Sequence, residues 1–334
     1  MLFVLLGMVL LVGGGLGFLF LRKPAQVAAS TQTVARTPER IARGEFLFLH
    51  VAECSGCHSQ RDFTRVGGPE VPAGRGRGSV LSDFLIGLPG VVVAPNITPD
   101  AETGIGAWTD GEKIRAIRDG VDKSGNALFP MMPYQMYRQM SDEDVEALVA
   151  YLDTMPLVRN PLPKTSLAFP ANVLIKSAPR PAGSVPSPDR GDRLRYGKYL
   201  AAVAGCVDCH TPAEKGERIA GMEFAGGQVF ASQAGTVVSA NLTPDLETGI
   251  GRWSEEFFQK KIYEYKDYAA QGPPPLSGPQ AFTLMPWLAY AGLPPDDLSA
   301  IYTFLRTVQP VHHYVETHPG APKHPPSAPA DTGR

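Results

Sequence analysis

The sequence predicts an all-α chain built as two tandem repeats with long Gly/Pro loops, preceded by an N-terminal apolar helix. Three observations carry that expectation. A run reading Asn96-Ile97-Thr98-Pro99-Asp100, then Glu102-Thr103-Gly104-Ile105-Gly106 and Trp108, returns as Asn241-Leu242-Thr243-Pro244-Asp245, Glu247-Thr248-Gly249-Ile250-Gly251 and Trp253. The same order of amphipathic stretches surrounds each copy, as an internal repeat requires. Met1 to Leu21 is apolar throughout.

The apolar N-terminus comes first. As a helix it would extend about 31 Å, close to the thickness of a bilayer's hydrocarbon core. Arg22 and Lys23 end it. Its competing reading is a cleavable signal, with a small-residue site near Val27-Ala28-Ala29, but no basic residue precedes the apolar run. The positive-inside rule opposes an exported orientation, whereas the chemistry of the cysteine motifs below requires one. Residues 1–22 are therefore expected as a membrane anchor or signal and residues 23–37 as a linker. Gly13 and Gly17 match a helix-pairing spacing, which chance explains in so glycine-rich a segment.

The repeats follow, at residues 38–158 and 191–310, joined by a Pro-rich linker at 159–190. Each opens with a helix, marked by Gly44, Phe46 and Leu47 in one and Gly197, Tyr199 and Leu200 in the other. After the Gly/Pro loop and the repeated run come charged amphipathic helices, Asp110 to Gly120 and Glu255 to Asp267. Each repeat closes with a terminal helix. Ser141 is a suitable N-cap, with Asp142, Glu143 and Asp144 at the positive end of the helix dipole. Val145, Leu148, Val149 and Leu152 then recur at helical spacing. Pro294, Pro295, Asp296 and Asp297 open the second terminal helix, whose apolar face is Leu298, Ile301, Tyr302 and Leu305. Residues 311–334, rich in proline and histidine, read as a disordered tail.

The four cysteines form two identical clusters, Cys54-Ser-Gly-Cys57-His58 and Cys206-Val-Asp-Cys209-His210. This is C-x-x-C-H, the attachment signature of c-type haem. Positions three apart share a helical face, so both sulfurs can reach the two vinyl groups of one porphyrin while the adjacent imidazole turns under the ring to the iron. A Cys₄ zinc cluster leaves a histidine after each pair without a role. A thioredoxin-type disulfide calls for a βαβ context that the flanks lack. Two covalently attached c-type haems are the expected cofactors.

A haem iron has a second axial position. Of 9 methionines, only Met132 and Met285 precede Pro-aromatic pairs at matching places, nine residues before Ser141 and Pro294 respectively. A methionine is ordinarily core filler. The matched pair instead points to His58/Met132 and His210/Met285 as iron ligands, the ligation of electron-carrying cytochromes. Met131 is the local rival of Met132, and His50 a weaker alternative one helical turn before Cys54. Trp108, Trp253, Asn96 and Asn241 are expected around the haem, as core or in direct contact. Arg61, Arg65, Arg75 and Arg77 flank the first motif as a basic rim or a solvated loop.

A net charge of −2 gives no basis for nucleic-acid binding. The two C-x-x-C-H motifs, the repeated Asn-x-Thr-Pro-Asp runs and the Met132-Pro-Tyr and Met285-Pro-Trp loops resemble the cytochrome c subunits of bacterial periplasmic dehydrogenases of the alcohol, gluconate and molybdenum-hydroxylase types. The resemblance runs from about Arg43 to Pro310. It implies two tandem cytochrome c-like haem domains. It also implies an electron-transfer protein without substrate chemistry of its own. The implied partners are a catalytic dehydrogenase subunit and a downstream acceptor (a cytochrome, an oxidase or a quinone). The implied location is the periplasmic side of the bacterial inner membrane, anchored by residues 1–21. The competing function is a haem enzyme, such as a di-haem peroxidase or a thiosulfate-oxidising cytochrome, which needs an open or unusual axial position.

Overall fold

The computed structural model describes Phe3, residues 13–15, 17–214 and 216–320. Most of the expected N-terminal helix lies outside the described residues; residues 17–21 are helical, and no described helix is long and apolar enough to cross a membrane. The all-α expectation is corrected. Helix makes up only 36% of the described residues. The described loops carry four two-stranded antiparallel ribbons.

These ribbons are β1 (Ser79–Val80) with β3 (Val93–Ala94), β2 (Gly90–Val91) with β4 (Ser166–Leu167), β5 (Ala213–Glu214) with β6 (Glu217–Arg218), and β7 (Val229–Ser232) with β8 (Gly235–Val238). Long loops pinned on a small domain must still satisfy their backbone groups, and short antiparallel pairing does so locally. Three of the ribbons are too short to show the alternation by which a strand is read from sequence.

Helix α1 (Pro38–Phe46) opens the first repeat, with Thr37 accepting from the Arg40 amide and Pro38 at the first helical position. A π turn, Leu47–Val51, continues it into the one-turn helix α2 (Ser55–His58). Then come α3 (Asp110–Asp119), started by a Thr109/Glu112 capping box, α4 (Tyr134–Tyr137) and α5 (Asp142–Leu152), capped by Ser141. After α6 (Ala171–Leu174) in the connecting segment, the second repeat gives α7 (Arg193–Val203), α8 (Cys206–Cys209), α9 (Glu255–Tyr263), α10 (Lys266–Gln271), α11 (Trp287–Tyr290) and α12 (Pro295–Leu305).

In each repeat the first helix crosses the last at a glycine. A Cβ on Gly44 would lie 1.9 Å from the Ala147 carbonyl oxygen, and one on Gly197 would lie 1.8 Å from that of Ala300. Only glycine permits so close a crossing. The spacing from Gly44 to Cys54 is one residue longer than that from Gly197 to Cys206, and the π turn absorbs the extra residue.

The repeats share one hydrophobic core, which includes Leu47, Phe48 and Leu148 from the first and Leu200, Leu298 and Ile301 from the second. Across the interface the Tyr199 hydroxyl donates to Asp144 at 2.5 Å, and Arg43 grips both oxygens of the same carboxylate at 2.8 Å. The connecting segment is tied to the first repeat: the Ala182 amide donates to Asp119 at 2.8 Å, and Arg118 donates to the Gly183 carbonyl at 2.7 Å. Residues 311–320, expected within the disordered tail, instead run back over the second repeat. The Val238 amide donates to the Thr317 carbonyl at 2.9 Å, and His318 Nε2 meets the Phe282 carbonyl at 3.0 Å. Residues 321–334 lie outside the described residues.

Candidate haem-attachment sites

Each C-x-x-C-H sits on a single helical turn, closed by the His58 amide on the Cys54 carbonyl at 3.0 Å and the His210 amide on that of Cys206 at 2.9 Å. The turn presents both thiols of a pair to one side, and all four are free of disulfides. Burial raises the thiols, Cys57 to about 11 and Cys54, Cys206 and Cys209 to about 12. They are not poised as thiolates. Among the described residues no group of three or more His, Cys, Asp and Glu is arranged to hold a metal ion. The arrangement suits thioether attachment and not a thiolate zinc cluster.

The two histidines are held alike. His58 Nδ1 lies 2.8 Å from the Pro95 carbonyl oxygen, and His210 Nδ1 lies 2.7 Å from that of Ala240. A carbonyl only accepts, so Nδ1 carries the proton and Nε2 is left with its lone pair, the form a metal needs. Burial also pushes both imidazoles below their usual range, the carbonyl acting in the opposite sense.

Pro95 and Ala240 are the residues immediately before Asn96 and Asn241, and this gives the repeated motif its role. Asn96 Oδ1 accepts from the Thr98 amide at 2.9 Å and the Thr98 hydroxyl at 2.8 Å, while its Nδ2 donates to Thr103 Oγ1 at 3.0 Å and to the Val158 carbonyl at 2.7 Å. Asn241 repeats the set, with Thr243 at 2.9 and 2.7 Å, Thr248 at 3.1 Å and Val311 at 2.9 Å. Asp100 and Asp245 each accept two further bonds from Thr103 and Thr248. The motif is therefore a clasp that fixes the carbonyl orienting the histidine. All of these asparagine bonds stay within the protein.

Met132 and Met285 are half-buried at the edge of the core, unlike the fully buried Met140. Each lies in a tight turn closed by its own carbonyl, which accepts from the Tyr134 amide and the Trp287 amide respectively, both at 2.8 Å. The one-turn helix that follows is latched to the cysteine side. The Tyr137 hydroxyl donates to the Ala52 carbonyl at 2.8 Å, and the Tyr290 hydroxyl to that of Ala204 at 2.9 Å. Ala52 and Ala204 are both two residues ahead of their first cysteine. These tyrosines escape a reading of the sequence, although each stands five residues after its methionine. His50 is otherwise engaged, with Nδ1 2.8 Å from the Ala289 carbonyl.

Glu53 also escapes that reading. It precedes Cys54 with φ of 47°, the left-handed conformation that Gly205 adopts before Cys206 with φ of 67°. Its largely buried carboxylate pairs with Arg61 at 3.1 Å, yet burial outweighs that attraction and raises it to about 7. The flanking arginines do not form a free rim. Arg61 holds Glu53 and the Gly67 carbonyl, Arg75 holds Glu70 at 2.9 Å, and Arg77 reaches Asn160 at 3.4 Å. The two attachment segments lie near each other, close enough for Cys57 and Glu53 to act electrostatically on Cys209.

The cytochrome c family pattern matches residues 41–156 and again residues 194–309. The chain is 32% identical over 294 residues to the fructose dehydrogenase cytochrome subunit of Gluconobacter japonicus, over 85% of this chain and 55% of that protein. It is 31% identical over 242 residues to the cytochrome c subunit of the quinone alcohol dehydrogenase of Gluconacetobacter polyoxogenes, over 66% and 49%. To a diheme cytochrome c-type protein of Cereibacter sphaeroides it is 30% identical over 245 residues, over 71% and 78%. The chain thus spans about half the length of the two dehydrogenase subunits. Twin C-x-x-C-H turns, each with an oriented histidine and a latched methionine loop, agree with these matches: the chain belongs to the cytochrome c family and carries two of its domains in tandem.

Proposed function

We propose that this chain passes electrons from a catalytic dehydrogenase subunit to a downstream respiratory acceptor, working on the periplasmic side of the inner membrane with its apolar residues 1–21 at the bilayer. The observation that carries the reading is the matched pair of histidines whose Nδ1 is held by a backbone carbonyl, each beside two free thiols. Cys54 and Cys57 would bind one haem and Cys206 and Cys209 the other, with His58/Met132 and His210/Met285 on the two irons. Bound haem supplies reversible one-electron chemistry, and the protein sets its potential and surroundings.

The chain's own residues do the positioning. The asparagine clasps keep each imidazole in one tautomer, and Tyr137 and Tyr290 tie each methionine loop to the segment bearing the cysteines. Closed axial positions favour electron transfer over peroxidase-type chemistry, which requires an open iron. Two experiments test this. Gentle detergent extraction from native membranes should co-purify a dehydrogenase subunit in stoichiometric amount. The reduced protein should resist carbon monoxide, and Met132→Ala should admit it at one haem; rapid binding by the unaltered protein would sink the assignment.

A further inference from the structure

The segment between the repeats does more than join them. Phe169 and Leu174, at the two ends of the turn leading into and along α6, are 64% and 63% exposed, a large apolar surface for a connecting loop. The turn is not isolated. The ring of Phe20 stacks on Phe169 with centroids 6.2 Å apart, and the Lys176 ammonium donates to the Phe20 carbonyl at 2.6 Å. Phe18, Phe20 and Leu21 are themselves exposed. The end of the apolar N-terminal segment and the inter-repeat turn thus make one corner of the molecule.

Charge says what such a corner fits. No acidic residue occurs in residues 1–38 or in residues 160–188, while Arg22, Lys23, Arg36, Lys164, Lys176 and Arg180 lie in these stretches, Arg36 being paired with Asp110 and Asp153. The chain as a whole is slightly acidic, so the segregation is local. Exposed aromatic and aliphatic side chains in stretches that carry cations and no carboxylate, with Lys176 on Phe20, suit the boundary of an anionic bilayer. There the apolar groups enter the acyl region and the cations meet phosphates. A protein partner would need no such exclusion of acid, and the corner is continuous with the apolar segment.

We propose that Phe169 and Leu174, together with Phe20 and Leu21, form a docking patch for the surface of an anionic phospholipid bilayer, giving the molecule a second membrane contact beyond its N-terminal residues. The proposal rests on the membrane association put forward above. Phe169 and Leu174 lie more than 140 residues along the chain from Phe20 and Leu21, so seating both pairs together would fix the orientation of both haem domains to the membrane, which attachment through the N-terminal residues alone does not.

The test uses the full holo-protein on vesicles of phosphatidylethanolamine and phosphatidylglycerol. Its native cysteines are consumed by haem, so a nitroxide can be placed at Leu174→Cys and, as a control, at Leu246→Cys, which is 61% exposed in the second repeat. Relaxation by oxygen and by a water-soluble nickel chelate then reports depth. The expected result is a label at 174 that favours oxygen, a label at 246 that favours nickel, and loss of the difference when Phe169→Ser is added. Equal nickel access at both sites on protein that floats with the vesicles overturns the patch while leaving the membrane reading intact. Failure to float overturns that reading as well. Shielding at 174 by added dehydrogenase subunit alone, without lipid, assigns the patch to a protein and also overturns the proposal.

Discussion

Asn96 shows how much one side chain can organise. It is 2% exposed and uses both its acceptor and its donor on its own repeat. Asn96→Ala removes these bonds and leaves the buried Thr98 amide without its acceptor, while the Thr98 hydroxyl still donates to the Val158 carbonyl at 3.1 Å; a loss of about 1–3 kcal/mol is expected. A drop in the denaturation midpoint of the holo-protein checks it; an unchanged midpoint would mean that the clasp is dispensable. Asn96→Asp should recover only part, because it keeps the acceptor and not the donors. Glu53 makes a second residue-scale prediction, about pH. Its carboxyl is raised from an ordinary 4.5 to about 7, so the native state holds a proton that the unfolded state releases. Stability from this group is greatest below about 4.5 and falls as pH rises through about 7. Glu53→Gln, measured by denaturant titration from acid to neutral pH, should flatten that decline; an unaltered slope would assign the pH dependence elsewhere. The two Cys-Cys-His clusters and the two Met-Pro loops stood out in the sequence because their spacing recurs in both halves. Tyr137 and Tyr290 were not, since an aromatic at a helical position reads as core. Glu53 was hidden because a left-handed requirement shows only when Gly205 is set beside it.

At the level of elements, the two helix crossings impose the strictest requirement. Gly44→Ala drives a methyl group into the Ala147 carbonyl, and Gly197→Ala does the same at Ala300. Neither backbone can give way without parting the first and last helices of its repeat. A loss of about 2–4 kcal/mol is expected, near the upper end for an overpacked contact. Thermal melts of the two variants check this; a melt like that of the unaltered chain would mean that the crossing tolerates separation. Helices α5 and α12 were foreseeable from their opening residues and apolar spacing, and α1, α3, α7 and α9 from stretches that recur in both halves, although α9 ends at Tyr263 and not at Asp267. The ribbons were not, because pairs of two residues leave no pattern, and β7–β8 lies in a stretch where Gly and Gln read as loop. The π turn was legible only as an unexplained extra residue between Gly44 and Cys54.

On the scale of the whole molecule, the tandem organisation was readable from the repeat, but the way the halves meet was not. Arg43, Asp144 and Tyr199 bind across the interface, and nothing in their local sequence marks them as a set. Nor did proline content reveal that residues 160–188 lie packed on the first repeat, or that residues 311–320 return to the second. In both cases long-range hydrogen bonds override a composition typical of linkers and tails.

The shared core has a dynamic consequence. Two domains on a loose tether must diffuse into contact before they exchange an electron, and such a process slows as the solvent thickens. Here Leu47, Phe48 and Leu148 belong to the same packed cluster as Leu200, Leu298 and Ile301, so the path between the two attachment sites has a set length. Exchange between the haems, followed by flash photolysis of the half-reduced protein, should keep its rate when sucrose raises the viscosity severalfold. A rate that falls in proportion to viscosity would mean that the halves part and re-form. Hand-over to a separate partner must still wait for collision, so the molecule would combine an internal step indifferent to its medium with outer steps governed by it.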